Sequence, residues 1–182
     1  ESINKVDNLY AVIKGAYSRM TGSGYYGRDI IITNEVRTDN CFSNGNSGRF
    51  TTQAGFAYSA TSGFFWDDAY RVISSANLVI STDVSSLDGD QDYGKHLQGQ
   101  AYAIRALAHF DLLRQYGQQH VSGGTTPGGV PYISTYLSGA STQDELFPPR
   151  NAVEDVKTKI YADLDMAYSL MQDTGEKNFF SK

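Results

Sequence analysis

The 182-residue chain carries 15 Lys and Arg against 20 Asp and Glu, a net charge of -5, and 13% aromatic residues, among them thirteen Tyr and nine Phe. That length suits one domain whose core needs neither disulfides nor metals, and so many rings at a mean hydropathy of -0.39 exclude a disordered chain. No apolar run approaches a membrane span, no Lys/Arg cluster offers a nucleic-acid footprint, and the single cysteine, Cys41, cannot form an internal disulfide.

The chain opens on Glu1 and not on Met, which implies a processed or trimmed start. Val6, Leu9, Tyr10, Ile13, Ala16, Tyr17 and Met20 then recur at helical spacing, so residues 6 to 20 are predicted to form a first helix. From Gly22 to Gly63 the period is lost, apart from Ile30, Ile31 and Ile32, which suit a short strand or a short helix. This long segment is rich in Gly, Ser, Thr and Asn and carries Tyr25, Tyr26, Phe42, Phe50, Phe56 and Tyr58. Trp66, Ala69, Tyr70, Ile73, Ala76, Asn77 and Ile80 predict a second helix, on whose stripe Trp66 is a core residue first.

A third helix is predicted from about Asp92 to Tyr116, with two apolar stripes. One is Leu97, Ala101, Ile104, Ala108 and Leu112, the other Ala103, Leu107, Phe110 and Arg114, which suggests packing on more than one side. Gly117 suits a C-terminal cap. Residues 118 to 150 form a second long connection, with turn residues at Gly123-Gly124, Pro127 and Pro148-Pro149. Asn151 and Glu154 then read as an N-cap and its capping-box partner, opening a fourth helix on Val153, Val156, Ile160, Leu164, Ala167 and Met171. From Glu176 the chain reads as loop. Four helices and two long loops make an all-α protein.

Motifs for catalysis and metal binding fail on their mechanics. Gly89 to His96 (GDQDYGKH) approaches a phosphate-binding loop, but His96 stands where a hydroxyl must reach magnesium, and Asp90 and Asp92 would repel phosphate. Asp88, Asp90 and Asp92 copy half of a calcium loop, yet Tyr93 replaces its sharp-turn glycine and Gly99 its bidentate Glu. Asp92 is better read as a helix cap. His109 and Asp111 lie two apart on a helix and point in different directions. Cys41 reads as a buried or inert thiol.

The Gly22 to Gly63 segment is where chemistry remains. Sugars present apolar C–H faces and many hydroxyls, so they suit sites that mix rings with Arg, Asn, Asp and Gln. Arg37, Asp39, Asn40, Phe42, Asn44, Arg49, Phe50 and Gln53 supply that mixture. The competing reading tucks the rings under the loop as a satellite core.

Residues 99 to 117 (GQAYAIRALAHFDLLRQYG) resemble the signature helix of the SusD-like (RagB/SusD) nutrient-binding family, in which Arg105-Ala106, Phe110 and Leu112 precede Tyr116-Gly117. Gly129-Val130-Pro131 matches the turn that follows, and Pro149-Arg150, Val153, Ile160, Asp163-Leu164 and Ala167 match the next helix. Upstream, Trp66, Tyr70, Ile73 and Ala76-Asn77 match its Trp-Tyr-Ile-Ala-Asn helix, while Gly15-Ala16-Tyr17 and Thr38-Asp39-Asn40 sit where the family has similar residues. The resemblance runs along nearly the whole chain, but family members extend to several hundred residues, so it concerns their N-terminal part.

The resemblance implies a tetratricopeptide-like α-α superhelix with long irregular loops. It further implies a non-enzymatic glycan-binding lipoprotein on the outer face of a Gram-negative outer membrane, anchored through a cysteine upstream of Glu1. Its partner would be a TonB-dependent, SusC-like β-barrel transporter, and neither cofactor nor metal is implied. Ligand contacts are expected from Arg37, Asp39, Asn40, Phe42, Arg49 and Phe50. Structural roles are expected for Trp66, Tyr70, Asn77, Arg105, Tyr116, Gly117, Pro131 and Arg150. The competing reading is a helical scaffold for protein–protein contact with no sugar site of its own.

Overall fold

Each of the four apolar stripes becomes a helix in the computed structural model, which describes residues 3–57, 64–118, 128–139, 141–174 and 178–182. They are α1 (Val6–Met20), α4 (Trp66–Ser81), α5 (Gln91–Tyr116) and α7 (Val153–Leu170). Three shorter helices are α2 (Asp29–Glu35), α3 (Thr51–Ala54) and α6 (Gln143–Leu146), and a 3-10 turn covers Val84–Ser86. Ile30 to Ile32 are therefore helical, and both segments read as loops carry short helices. Among the described residues there is no strand, and no helix is long and apolar enough to cross a membrane. Tyr58, Gly63, Gly123-Gly124, Pro127 and Glu176 lie outside the described residues.

Helix α5 is the hub, packing against α1, α4 and α7. Its first stripe is wholly inside: Leu97, Ala101, Ile104, Ala108 and Leu112 are buried, together with Leu9 and Ile13 of α1 and Ala69, Ile73 and Ala76 of α4. Alanines on both α4 and α5 let the helix axes approach closely. The second stripe differs, since Ala103 is buried but Phe110 is 44% exposed. Gly99 in mid-helix is there for space: a Cβ would come within 2.8 Å of the Met171 backbone nitrogen. A bulkier residue would push α7 away, which outweighs the roughly 1 kcal/mol helix penalty of glycine.

Two helix ends differ from the sequence expectation. Asp90, and not Asp92, caps α5, accepting from the backbone N–H of Asp92 and Tyr93 at 3.0 and 3.1 Å. At α7 the cap position is Ala152. The Asn151 side chain is taken by one distant and one local partner, accepting from Tyr132 N–H at 2.8 Å and donating to Asp155 at 2.6 Å. Glu154 pairs with Lys157 instead of closing a capping box. Gly117 does follow α5, but with φ -82°, so its requirement is not a left-handed turn. A Cβ there would lie 2.5 Å from the Leu113 carbonyl oxygen.

A polar clamp fastens residues 128–135 across α4, α5 and α7. Arg105 of α5 donates through Nε and Nη2 to both oxygens of Asp163 on α7, at 2.7 and 2.6 Å. Its Nη1 reaches Asn77 Oδ1 on α4 at 2.8 Å and the Ser134 carbonyl at 3.2 Å. Asn77 donates onward to the carbonyls of Ile133 and Thr135, both at 3.1 Å. Tyr132 donates to Asp163, Tyr70 to the Pro131 carbonyl at 2.8 Å, and Arg150 to the Gly129 and Tyr116 carbonyls at 2.6 and 3.2 Å. An irregular segment cannot satisfy its own carbonyls, so side chains from the helices do it.

His109 belongs to the same clamp. Its Nδ1 lies 3.0 Å from the Arg105 carbonyl and its Nε2 3.1 Å from the Ile133 N–H. The geometry assigns the proton to Nδ1, leaving Nε2 as an acceptor. Burial, aided by the neighbouring Arg105 charge, lowers its pKa from 6.5 to about 3. A depressed pKa means the neutral form stabilises the fold: the contribution is full above pH 6.5 and is lost as pH falls toward 3. Acid unfolding of the protein should therefore begin below pH 6.5, and His109→Gln should flatten the pH dependence of the unfolding midpoint in that window. An unchanged slope would remove His109 as its source.

Candidate functional site

The segment between α1 and α4 divides into a buried stem and an exposed tip. At its start, Tyr25 and Tyr26 donate to the same oxygen of Asp111 on α5, at 2.7 and 2.6 Å. Burial, reinforced by the Asp111 charge, pushes both hydroxyls well above the usual tyrosine range, so they remain donors. Tyr25 stacks on Phe65 with centroids 5.2 Å apart and planes 4° apart. At the far end of the segment, the Phe64 N–H donates to the Tyr116 hydroxyl at 3.1 Å, and Trp66 meets the Tyr116 ring edge-on at 4.9 Å. Both ends are thus closed over one ring cluster at the end of α5. Of the rings in the Gly22 to Gly63 segment, Tyr25 and Tyr26 do tuck underneath, but onto the main core and not a satellite one.

The tip rings behave differently. Phe42 is 83% exposed, Phe56 is 61% exposed and Phe50 is half-buried. Phe50 caps α3 and Phe56 follows Gly55 just beyond it, with φ of 57° and 51°. These are left-handed values at which a Cβ crowds the following carbonyl, costing roughly 1–2 kcal/mol each. Backbone strain of this sort is found at ligand-contacting positions.

Two clefts border α3. One, of about 400 Å³, is lined by Arg28, Asp29, Arg49, Phe50 and Gln53. Arg28 Nε donates to Asp29 at 2.6 Å, and the Arg28 guanidinium sits 5.9 Å from the Phe50 ring centre. The other cleft, of about 390 Å³, is lined by Thr38, Cys41, Phe42, Thr51 and Phe56 among others, and none of its described lining residues is charged. Cys41 is exposed there and not buried.

The structure gathers some of the expected ligand residues and separates others. Arg49 and Phe50 share the first cleft, and Phe42 lies in the second. Asp39 and Asn40 are exposed but line neither. Arg37 turns to the stem, 5.4 Å from the Phe64 ring centre. Arg28 and Asp29 escaped the sequence reading; an adjacent pair of opposite charges just before the Ile30 to Ile32 run was the available signal. Gln53 and Phe56 were visible only as part of the general mixture.

A third concavity, of about 600 Å³, runs between α5 and α7. Phe110, Leu107, Tyr161, Leu164 and Tyr168 line it, and its walls are almost wholly apolar. Such walls offer sugar hydroxyls few partners.

Residues 1–182 match a SusD-like family described as starch-binding and associating with the outer membrane. The chain is 29% identical over 172 residues to SusD-like protein P2 of Formosa agariphila, covering 92% of this chain and 31% of that protein. SusD-like protein P38 of the same organism is 27% identical over 124 residues, 68% of this chain and 21% of that one. Among solved structures, a Bacteroides vulgatus ATCC 8482 protein superposes with a TM-score of 0.83 at 27% identity, covering 100% of this chain and 40% of that one. A SusD superfamily protein from the same strain gives a TM-score of 0.79 at 25% identity, covering 93% and 38%. This chain therefore spans about a third or less of the length of the curated relatives it matches. A match along all 182 residues, with helices that superpose throughout, places the chain in the SusD-like family, with that family's all-α, tetratricopeptide-like fold.

Proposed function

We propose that this chain is the N-terminal portion of a glycan-binding cell-surface lipoprotein, and that the tip of the α1–α4 segment contacts the glycan. The observation that carries this reading is the exposed pair Phe42 and Phe56 with half-buried Phe50, bordering two clefts and held on a stem that Asp111 ties down. The family's starch-binding description supports it. Binding is by ring stacking and hydrogen bonds, without catalysis. The only carboxylate among the described lining residues of the two clefts is Asp29, and Arg28 already engages it, whereas glycoside hydrolysis needs a facing pair. In the cell, the protein sits on the extracellular side of a Gram-negative outer membrane through a lipid anchor outside this sequence. There it works with a TonB-dependent, SusC-like β-barrel in polysaccharide uptake.

Phe42→Ala and Phe50→Ala should each weaken glycan binding by the native protein about tenfold or more, the value of one buried ring. A glycan array followed by calorimetry checks this. Unchanged affinity in both variants would move the sugar site off this segment.

The apolar groove between α5 and α7 favours a second reading, in which this region serves protein–protein contact. The occupant we propose is the remainder of a longer polypeptide, since the relatives matched are much longer than this chain. Substitution of Tyr161 or Tyr168 by Asp should then destabilise the native protein and leave glycan affinity unchanged. Full stability in both variants would leave that face without a protein occupant.

A further inference from the structure

The two clefts beside α3 have different chemistry, and the difference bears on the kind of glycan. In the Arg28–Phe50 cleft the charges do not balance. Asp29 is satisfied by Arg28 Nε at 2.6 Å, and Arg28 retains its Nη groups while lying over the Phe50 ring. Arg49 is exposed and makes no ion pair, and its side chain makes no hydrogen bond or ring contact among the described residues. The cleft thus holds two guanidiniums against one carboxylate, on a chain whose net charge is -5. A guanidinium presents a planar fork of donors that matches a carboxylate or a sulfate ester. Gln53 adds an amide at the same wall, and Phe50 adds a ring. On the other side of one helical turn, the Phe42–Phe56 cleft holds two exposed rings and hydroxyls of Thr38 and Thr51, which suit an uncharged sugar face. A helix of four residues is about 6 Å long, so both clefts are within reach of one oligosaccharide.

We propose that the site takes an anionic glycan: Arg49 and Arg28 hold a carboxylate or sulfate ester beside Phe50, while a neighbouring uncharged residue of the same glycan lies against Phe42 and Phe56. This rests on the glycan-binding reading above and narrows it to a substrate class. Non-specific attraction does not account for such binding, because the chain as a whole repels polyanions.

Affinity electrophoresis and calorimetry on the native protein test it, using a polyuronate, its carboxyl-reduced form, dextran sulfate and unmodified dextran. The expected result is that at least one charged polymer binds tenfold or more tightly than its neutral counterpart. Binding of the polyuronate alone assigns a carboxylate, and binding of dextran sulfate alone a sulfate ester. Arg49→Gln, an exposed position whose loss leaves the fold intact, should lower the charged polymer's affinity about tenfold and flatten its salt dependence. Neutral polymers binding as well as charged ones, or an Arg49→Gln protein with wild-type affinity for the charged polymer, would overturn the charge assignment while leaving the loop as a sugar site. Failure of both charged polymers to bind overturns it too. If Phe42→Ala and Phe50→Ala leave every affinity unchanged, the site itself is elsewhere, and both proposals fall together.

Discussion

Arg105→Ala should lower the free energy of unfolding by about 3–5 kcal/mol, the range for breaking a buried ion pair from one side. The side chains of Arg105 and Asp163 are only 6% and 7% exposed, so removing the guanidinium leaves a buried carboxylate without its ion-pair partner, held by the Tyr132 hydroxyl. The loss does not stop at that pair. Arg105 also donates to Asn77 and to the Ser134 carbonyl, and Asn77 in turn holds the carbonyls of Ile133 and Thr135. The irregular segment should therefore loosen before the helices do. Hydrogen exchange can separate the two, with backbone amides from Tyr132 to Thr135 losing protection ahead of those in α5. Arg105→Met combined with Asp163→Leu should recover much of the loss, because it removes both charges together. A single variant as stable as wild type would mean that water reaches Asp163 and that the clamp contributes little.

The second large effect is expected at Asp111, which is 3% exposed and is the common acceptor for Tyr25 and Tyr26. Asp111→Ala strands two phenol donors, one of them fully buried, and should cost about 3 kcal/mol. Its consequence for binding is indirect. The exposed rings Phe42 and Phe56 are untouched, but the stem that aims them is no longer fastened to α5, so glycan affinity should fall with the tip intact. Tyr26→Phe removes one donor and should cost about 1 kcal/mol. The same network sets an alkaline limit. Burial first, and the Asp111 charge after it, raise both tyrosines above 10, so the protonated form stabilises the fold. That contribution is complete below about pH 10 and is lost as pH rises above it. Absorbance titration should show these tyrosines ionising only as the protein unfolds; ionisation of all tyrosines near pH 10 without unfolding would contradict the buried stem.

How much of this was legible beforehand depends on the range of the interaction. The apolar stripes of α1, α4, α5 and α7 are local patterns with the period of a helix, and they alone determined that the protein is all-α and where its long helices run. The ordered matches from Trp66 through Arg105 to Ala167 determined the family. An Asn inside an apolar stripe suits backbone groups of a neighbouring loop, and Asn77 does hold the Ile133 and Thr135 carbonyls, but short-range pattern could not name the particular partners. Asn151 looked like a cap because its neighbours in sequence suit one, yet Tyr132, nineteen positions away, takes its oxygen. Arg105, on a helix lined with small alanines, suits a carboxylate or carbonyls between helices, but only the packing made that carboxylate Asp163, 58 positions away.

The candidate site shows the same division. Its rings and its mixture with Arg, Asn and Gln were plain from composition, but rings of the same segment parted company in space. Tyr25 went under Phe65 and next to Asp111, whereas Phe42 stayed 83% exposed. Arg37 and Arg49 were equivalent in sequence, and only the tertiary structure sent one to Phe64 and left the other beside Phe50. Burial and pairing are properties of surfaces brought together from distant parts of the chain. The sequence determined the helices and the kind of chemistry available, and the packing decided which of those groups remain free to meet a ligand.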